Sequence, residues 1–176
     1  MSAPQLSIVV PVYNEPNLIE SVLRRVLASL VEKEVIVVDD GSTQATKDVL
    51  ARLQKVLPIR VMTHPRNQGK GAAVRTGFQA ATGDIVIIQA ADLEYDPGDY
   101  PTLMRTNTLY GFHATDYEGY YKKAFTRQVI QETLVTANGF EFDNELICKF
   151  LRRHRKIAEV PIHYAPRSNK EGKRIR

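Results

Sequence analysis

A single cysteine, Cys148, stands among 176 residues, which excludes a disulfide framework and leads us to expect a reducing, cytosolic setting. It lies beside Leu146, Ile147 and Phe150 in a helical pattern and is expected to be a small core residue rather than a nucleophile. No apolar run approaches the roughly 20 residues that cross a bilayer. The opening Met1–Leu6 lacks the charged and apolar regions of a secretory signal, so the chain is expected to be soluble. Low-complexity tracts are missing and 43% of the residues are hydrophobic. One substantial core, and a single domain over residues 1–176, is therefore expected. Basic segments interleaved with aromatics, as RNA-binding modules carry, are missing too, which ranks nucleic acid low as a partner.

The formal charge of +4 conceals a split. Residues 149–176 carry ten Lys or Arg against Glu159 and Glu171, a net of +8, while residues 1–148 carry fourteen against eighteen, a net of −4. A basic end of this kind suits a phosphorylated ligand or an anionic membrane surface, and equally a solvated tail.

Two periodicities alternate through the first half. Ser7–Tyr13 is strand-like, and Leu18, Ile19, Val22, Leu23, Val26, Leu27 and Leu30 then recur at helical spacing. Asn14 is the expected N-cap of that helix, with Pro16 near its first turn. Glu34–Asp40 reads as a second buried strand, followed by helical spacing over Val49–Leu57. A short strand at Ile59–Thr63, a helix from about Lys70 to Ala81 and an apolar run at Ile85–Ile88 complete the pattern. Strand and helix alternation of this kind predicts an α/β fold with a mostly parallel sheet and helices on both faces, whose site lies at the strands' carboxyl ends.

Conspicuous residues gather at those ends. Pro11, Tyr13, Asn14 and Glu15 follow the first strand, Asp39 and Asp40 the second, and Asp92, Glu94, Asp96 and Asp99 the fourth. Core packing does not need such an acidic rim, because a buried carboxylate without a partner is costly. Hard divalent cations take oxygen ligands, often one or two carboxylates together with a substrate's phosphates, so the rim is suited to holding Mg2+ or Mn2+ against a phosphate. The glycine-bearing segment Asn67–Gly77 is neither a Walker A loop, since Gly71 follows Gly-Lys, nor a dinucleotide fingerprint, since Val74 occupies the third glycine's place. It leaves two readings: an ordinary strand-to-helix loop, or a helix N-terminus that attracts an anion with Lys70 and Arg75 nearby.

The ordered set PVYNE (Pro11–Glu15), VIVVDDGST (Val35–Thr43), NQGKGAAVRTGF (Asn67–Phe78) and DIVIIQAADLEYDP (Asp84–Pro97) resembles the family 2 glycosyltransferases. Thr115–Phe125, Gly139–Arg153 and Glu159–Lys173 extend the likeness into the polyprenyl-phosphate sugar synthases, the dolichol-phosphate mannose synthases and related glucosyl enzymes. The resemblance implies the GT-A nucleotide-diphosphosugar transferase fold. It also implies metal-dependent, inverting transfer of a hexose from GDP-mannose or UDP-glucose to a polyprenyl phosphate, on the cytoplasmic face of a membrane. By position it assigns Pro11, Tyr13, Glu15, Asp40, Lys70, Ala91 and Asp92 to the donor, Asp92 and Glu94 to the metal, and Arg167 and Ser168 to a phosphate. Asp92, Asp116 and Arg167 take the catalytic roles. Asp116 faces an acceptor that is already ionised, so it positions groups rather than abstracting a proton; capping a helix before Tyr117 is its alternative.

Two departures from that pattern stand out. Ala90 occupies the first aspartate's place in Asp-X-Asp, which is expected to weaken metal binding and impair the enzyme, whether by an introduced substitution or by divergence into a nucleotide-sugar-binding protein. Several dozen family residues, including a Gly-Ser-Arg motif, are also missing between Arg105 and Thr106, where a junction is expected. A family member with a soluble or glycan acceptor is the remaining alternative. The sugar, the base, the polyprenol and the oligomeric state stay open, as does continuation of the chain into membrane-spanning helices.

Overall fold

The computed structural model describes residues 6–110, 113–115, 124–155 and 157–165. The first half is built as the periodicity predicts: β1 (Leu6–Val12), α1 (Ile19–Ala28), β2 (Lys33–Asp39), α2 (Gln44–Leu53), β3 (Arg60–Thr63), α3 (Lys70–Ala80) and β4 (Ile85–Ile88). A short 3-10 turn (Pro97–Asp99) leads into α4 (Tyr100–Tyr110), β5 (His113–Thr115), β6 (Ala124–Thr126), α5 (Arg127–Glu132), α6 (Phe142–Arg152) and β7 (Ile157–Glu159). The strands lie in the order β3-β2-β1-β4-β6-β5-β7. β1 pairs in parallel with β2 and β4, and β2 with β3, while β6 runs antiparallel to β4 and β5.

The period of two in each central strand divides the core between the two faces. Ile8 and Val10 of β1, Val35 and Val37 of β2, and Ile85 and Ile87 of β4 pack with Ile19, Val22, Leu23 and Val26 of α1. Val9, Ile36, Val38 and Val86 face the opposite way and meet Val74 and Phe78 of α3 and Phe142, Leu146 and Phe150 of α6. Each such buried aliphatic side chain contributes roughly 1.5–3 kcal/mol of transfer free energy. At Gly77 a Cβ would fall on the Val9 side chain, so glycine lets α3 lie close against the central strand.

Three expectations are corrected. Asn14 does not cap α1, whose N-cap position is Leu18 with no side-chain cap. Asn14 instead adopts φ 54° and is drawn to the neighbouring β2 turn: its N–H donates to Ser42 Oγ (2.9 Å) and its Oδ1 accepts from Thr43 N–H (2.8 Å). Cys148 is exposed rather than buried. Phe142, Leu146 and Phe150 form the buried stripe of α6, and two residues beyond Leu146 a helix has turned about 200°, which carries Cys148 to the outer face. The pattern extending to Val56 and Leu57 also overran α2, which ends at Leu53 and leaves Val56 exposed. α4 includes Arg105 and Thr106, and the Thr106 hydroxyl donates to the Thr102 carbonyl at 3.0 Å.

Candidate functional site

A cavity of about 490 Å3 opens at the carboxyl ends of β1, β2 and β4. Pro11, Tyr13, Glu15, Asp40, Lys70, Ala91, Asp92 and Glu94 all line it, with Ala90, Asn67, Gly69 and Phe140. Every candidate donor or metal residue that falls within the described chain thus borders one space. Asp116, Arg167 and Ser168 lie outside the described residues. Four carboxylates face one ammonium in this lining. An anionic diphosphate is repelled by such a wall unless a cation stands between them.

The two aspartates ending β2 differ in kind. Both oxygens of Asp40 are engaged by protein donors: Oδ1 by Gln68 N–H (2.9 Å) and the His64 ring (2.7 Å), and Oδ2 by Gly69 N–H (2.8 Å). Its carboxylate therefore shapes the loop before α3 as well as bordering the cavity. Asp39 is fully buried; its Oδ1 accepts from Ser42 N–H (3.0 Å), while Oδ2 has no hydrogen-bond partner among the described residues. A buried acceptor left without a donor is costly, and such costs concentrate at functional sites. The second aspartate of the pair was the one singled out from sequence; the unsatisfied oxygen belongs to the first.

The acidic loop after β4 is held from beneath and from the side. Gln89 is buried, accepts a hydrogen bond from the Tyr100 hydroxyl on its Oε1 (2.8 Å) and donates its amide N–H groups to the Ala90 and Tyr95 carbonyls. Burial, followed by the nearby Asp96 charge, pushes the Tyr100 phenol far above its ordinary range, so it stays a donor. Asp92 Oδ1 accepts from Glu94 N–H at 3.2 Å, a tight turn in which Leu93 has φ 63°. Glu94 is buried, and its Oε2 accepts from the Tyr164 hydroxyl at 3.2 Å. The other two acidic residues serve the framework: Asp96 caps the 3-10 turn, and Asp99 holds the backbone and ring of His163.

No group of three or more His, Cys, Asp or Glu that could hold a metal is present among the described residues. Asp92 and Glu94 still offer hard oxygen donors on one wall, a set that fits Mg2+ or Mn2+ when a ligand's phosphates complete the coordination. Ala90 puts a methyl group on the same wall.

The start of α3 is not an open anion site. Gly71 N–H (2.7 Å) and Ala72 N–H (3.3 Å) both donate to the Asn138 carbonyl, so a protein oxygen already occupies the first turn. Gly69, with φ 98°, has that same carbonyl where a Cβ would sit. Arg75 is committed as well, to the carbonyls of Val135 and Ala137 and to Asn138 Oδ1. Of the two cations singled out beside this turn, Lys70 alone lines the cavity, its Nζ 5.3 Å from the Phe140 ring centroid and 5.8 Å from that of Phe142.

Phe140, 60% exposed at the cavity's edge, was not identified from sequence. The available signal was an aromatic directly after Gly139 that falls outside the four-residue spacing of Phe142, Leu146 and Phe150. Its loop is anchored by Glu145, which accepts from the amides of Thr136 (3.0 Å) and Ala137 (2.7 Å) and pairs with Lys149. Desolvation raises the Glu145 pKa, but Lys149 and the two amides outweigh it and bring the group down to about 2. A second cavity, about 380 Å3 between α3 and α5, has Arg75 as its one charged lining residue and no acidic group.

The family model for Glycosyl transferase family 2 matches residues 7–165. The undecaprenyl-phosphate 4-deoxy-4-formamido-L-arabinose transferase of Pseudomonas fluorescens is 37% identical over 105 residues, covering 56% of this chain and 31% of that protein. Dolichol-phosphate mannosyltransferase of Pyrococcus furiosus is 31% identical over 102 residues, covering 57% and 29% respectively. The chain thus spans less than a third of the length of these curated relatives. Among solved structures, glucosyl-3-phosphoglycerate synthase of Mycobacterium tuberculosis with Mn2+, uridine diphosphate and glucosyl-3-phosphoglycerate superposes with a TM-score of 0.76 at 23% identity, covering 97% of this chain and 75% of that one. That likeness shows the fold, GT-A.

Proposed function

This chain belongs to glycosyl transferase family 2, and on that premise we propose that its cavity binds a nucleotide-diphosphosugar whose hexose is passed to the phosphate of a polyprenol. The observation that carries this reading is the convergence of Pro11, Tyr13, Glu15, Asp40, Lys70, Ala91, Asp92 and Glu94 on one space at the sheet's carboxyl edge. The acceptor class is supported by the two curated relatives, which are named for transfer to undecaprenyl phosphate and to dolichol phosphate.

In this reading Pro11, Tyr13, Glu15 and Asp40 border the base and ribose. Asp92 and Glu94 would hold Mg2+ or Mn2+, which when bound would supply positive charge against the departing diphosphate. The Lys70 ammonium adds a charge-assisted hydrogen bond to a phosphate oxygen. An oxygen of the polyprenyl phosphate attacks the anomeric carbon while the bond to the nucleoside diphosphate breaks, which inverts that carbon. The acceptor needs no base, so Asp116 orients it, and Arg167 and Ser168 grip its phosphate. The donor is GDP-mannose or UDP-glucose, and the acceptor's lipid places the reaction at the cytoplasmic face of a membrane. No helix among the described residues is long and apolar enough to cross that membrane, so contact with the surface is peripheral or comes through parts of a longer protein.

Ala90 favours a second reading, in which the chain binds a nucleotide sugar without turning it over. The test is transfer of radiolabelled mannose or glucose to a short polyprenyl phosphate by the native chain and by Ala90→Asp. The enzyme reading expects little turnover before the substitution and at least about tenfold more after it, since even an outer partner of a metal ligand commonly matters that much. Tight nucleotide binding with no turnover in either form would establish the binding protein instead.

A further inference from the structure

A buried histidine that no step of the proposed transfer uses sits between the cavity wall and α3. His64 is 9% exposed. Its Nδ1 lies 2.7 Å from Asp40 Oδ1 and its Nε2 lies 2.9 Å from Thr76 Oγ1, while its backbone N–H donates to the Asp39 carbonyl at 2.8 Å. The carboxylate has no proton to give, so Nδ1 donates to Asp40, and in the tautomer protonated there Nε2 accepts a hydrogen bond from the Thr76 hydroxyl. The imidazole therefore ties the second turn of α3 to the carboxylate that also receives the Gln68 and Gly69 amides. Those amides belong to the exposed stretch that delivers Asn67, Gly69 and Lys70 to the cavity.

Without the ring, Asp40 Oδ1 keeps only the Gln68 amide among these donors, and a buried carboxylate short of donors rotates or draws in water. The backbone at residues 68 and 69 would move with it, carrying the Lys70 ammonium. We propose that His64 is a positioning residue for the nucleotide-diphosphosugar: by bridging Asp40 and Thr76 it fixes the Asn67–Lys70 wall of the cavity before the ligand arrives. The inference rests on the donor-site reading above. It extends that reading to a side chain outside the cavity lining, one that acts by pre-organisation rather than by contact.

The test pairs amide hydrogen exchange with calorimetric titration by UDP and by GDP, each with manganese, on the native chain and on His64→Leu, His64→Asn and Thr76→Val. Losing the bridge in His64→Leu is expected to speed exchange at Gln68 and Gly69 about tenfold and to weaken nucleotide binding about tenfold, the scale of one hydrogen bond to a charged group. Amides of β1 and β4 should keep their native rates. His64→Asn places an N–H where Nδ1 was and is expected to recover both readouts to within about threefold, a recovery that mere packing would not produce. Thr76→Val, which likewise keeps the donor to Asp40 and loses only the tether to α3, should behave like His64→Asn.

Unchanged rates at 68 and 69 with unchanged affinity in folded His64→Leu would overturn the proposal, as would His64→Asn behaving like His64→Leu. If His64→Leu does not fold, His64→Asn and Thr76→Val decide: exchange at 68 and 69 faster than in the native chain by up to about threefold in both supports the bridge, and native rates in both overturn it. A native chain that binds neither nucleotide contradicts the donor-site reading, while the exchange rates still report whether His64 braces the loop.

Discussion

Lys70 is the one ammonium in a lining that holds four carboxylates, so its removal should be felt by an anionic ligand far more than by the fold. Lys70→Met is expected to weaken nucleoside diphosphate binding about tenfold, in line with roughly 1.5–3 kcal/mol for a hydrogen bond to a charged group, measured by calorimetry in the presence of manganese. The melting temperature should barely move, because a half-exposed cation over an aromatic ring contributes only about 0.5–1 kcal/mol. Residue identity at the rim was readable from sequence because chemistry-bearing side chains had no packing reason to cluster. Residue role was less readable. Asp39 and Asp40 are adjacent and identical in type, and only the fold shows that the second is saturated by Gln68, Gly69 and His64 while the first retains a buried acceptor. Asn14 was misread for a related reason: its local preference for capping a helix lost to two hydrogen bonds offered by the β2 turn, a partner 28 or more positions away.

Among elements, α3 carries the strictest packing demand. It crosses β1 so closely that Gly77→Val must displace the Val9 side chain. A destabilisation of at least about 1–3 kcal/mol is expected, measured by denaturant unfolding, as for other overpacked cores. The segment joining α5 to α6 makes an acid-sensitive prediction through Glu145. Its folded pKa, about 2, lies below the ordinary 4.5, so the carboxylate stabilises the fold fully above the ordinary value and the contribution is lost as pH falls through the interval between the two. Glu145→Gln should remove that part of the acid dependence and leave the molecule less stable at neutral pH, read from melting curves between pH 7 and pH 2. Periods of 2 and 3.6 made β1, β2, β4, α1 and α3 legible. The same reading failed for Cys148, where sequence neighbours were taken for spatial ones although the helix turns its second neighbour to the far side.

For the molecule as a whole, the sheet brings to one edge residues scattered from Pro11 to Phe140. The doubly covered, mostly parallel architecture was legible because alternation of strand and helix leaves few other solutions. The antiparallel β6 and the packing of the 134–141 loop beside Lys70 were not, since short strands and irregular segments carry no period. The net +8 over residues 149–176 bears on the membrane proposal. Flotation with vesicles containing anionic phosphatidylserine is expected to retain the protein at low salt and release it at high salt, at about 1 kcal/mol per Lys or Arg near the surface; neutral vesicles should not retain it. The central claim concerns the opposite, acidic region, and paramagnetic broadening tests it most directly. Manganese added with UDP or GDP should selectively erase the amide resonances of Ala91, Asp92 and Glu94 in the NMR spectrum, more strongly in Ala90→Asp than in the native chain. Broadening confined to other parts of the surface, or none at all in either form, would contradict a cation-bridged nucleotide site on this sheet edge.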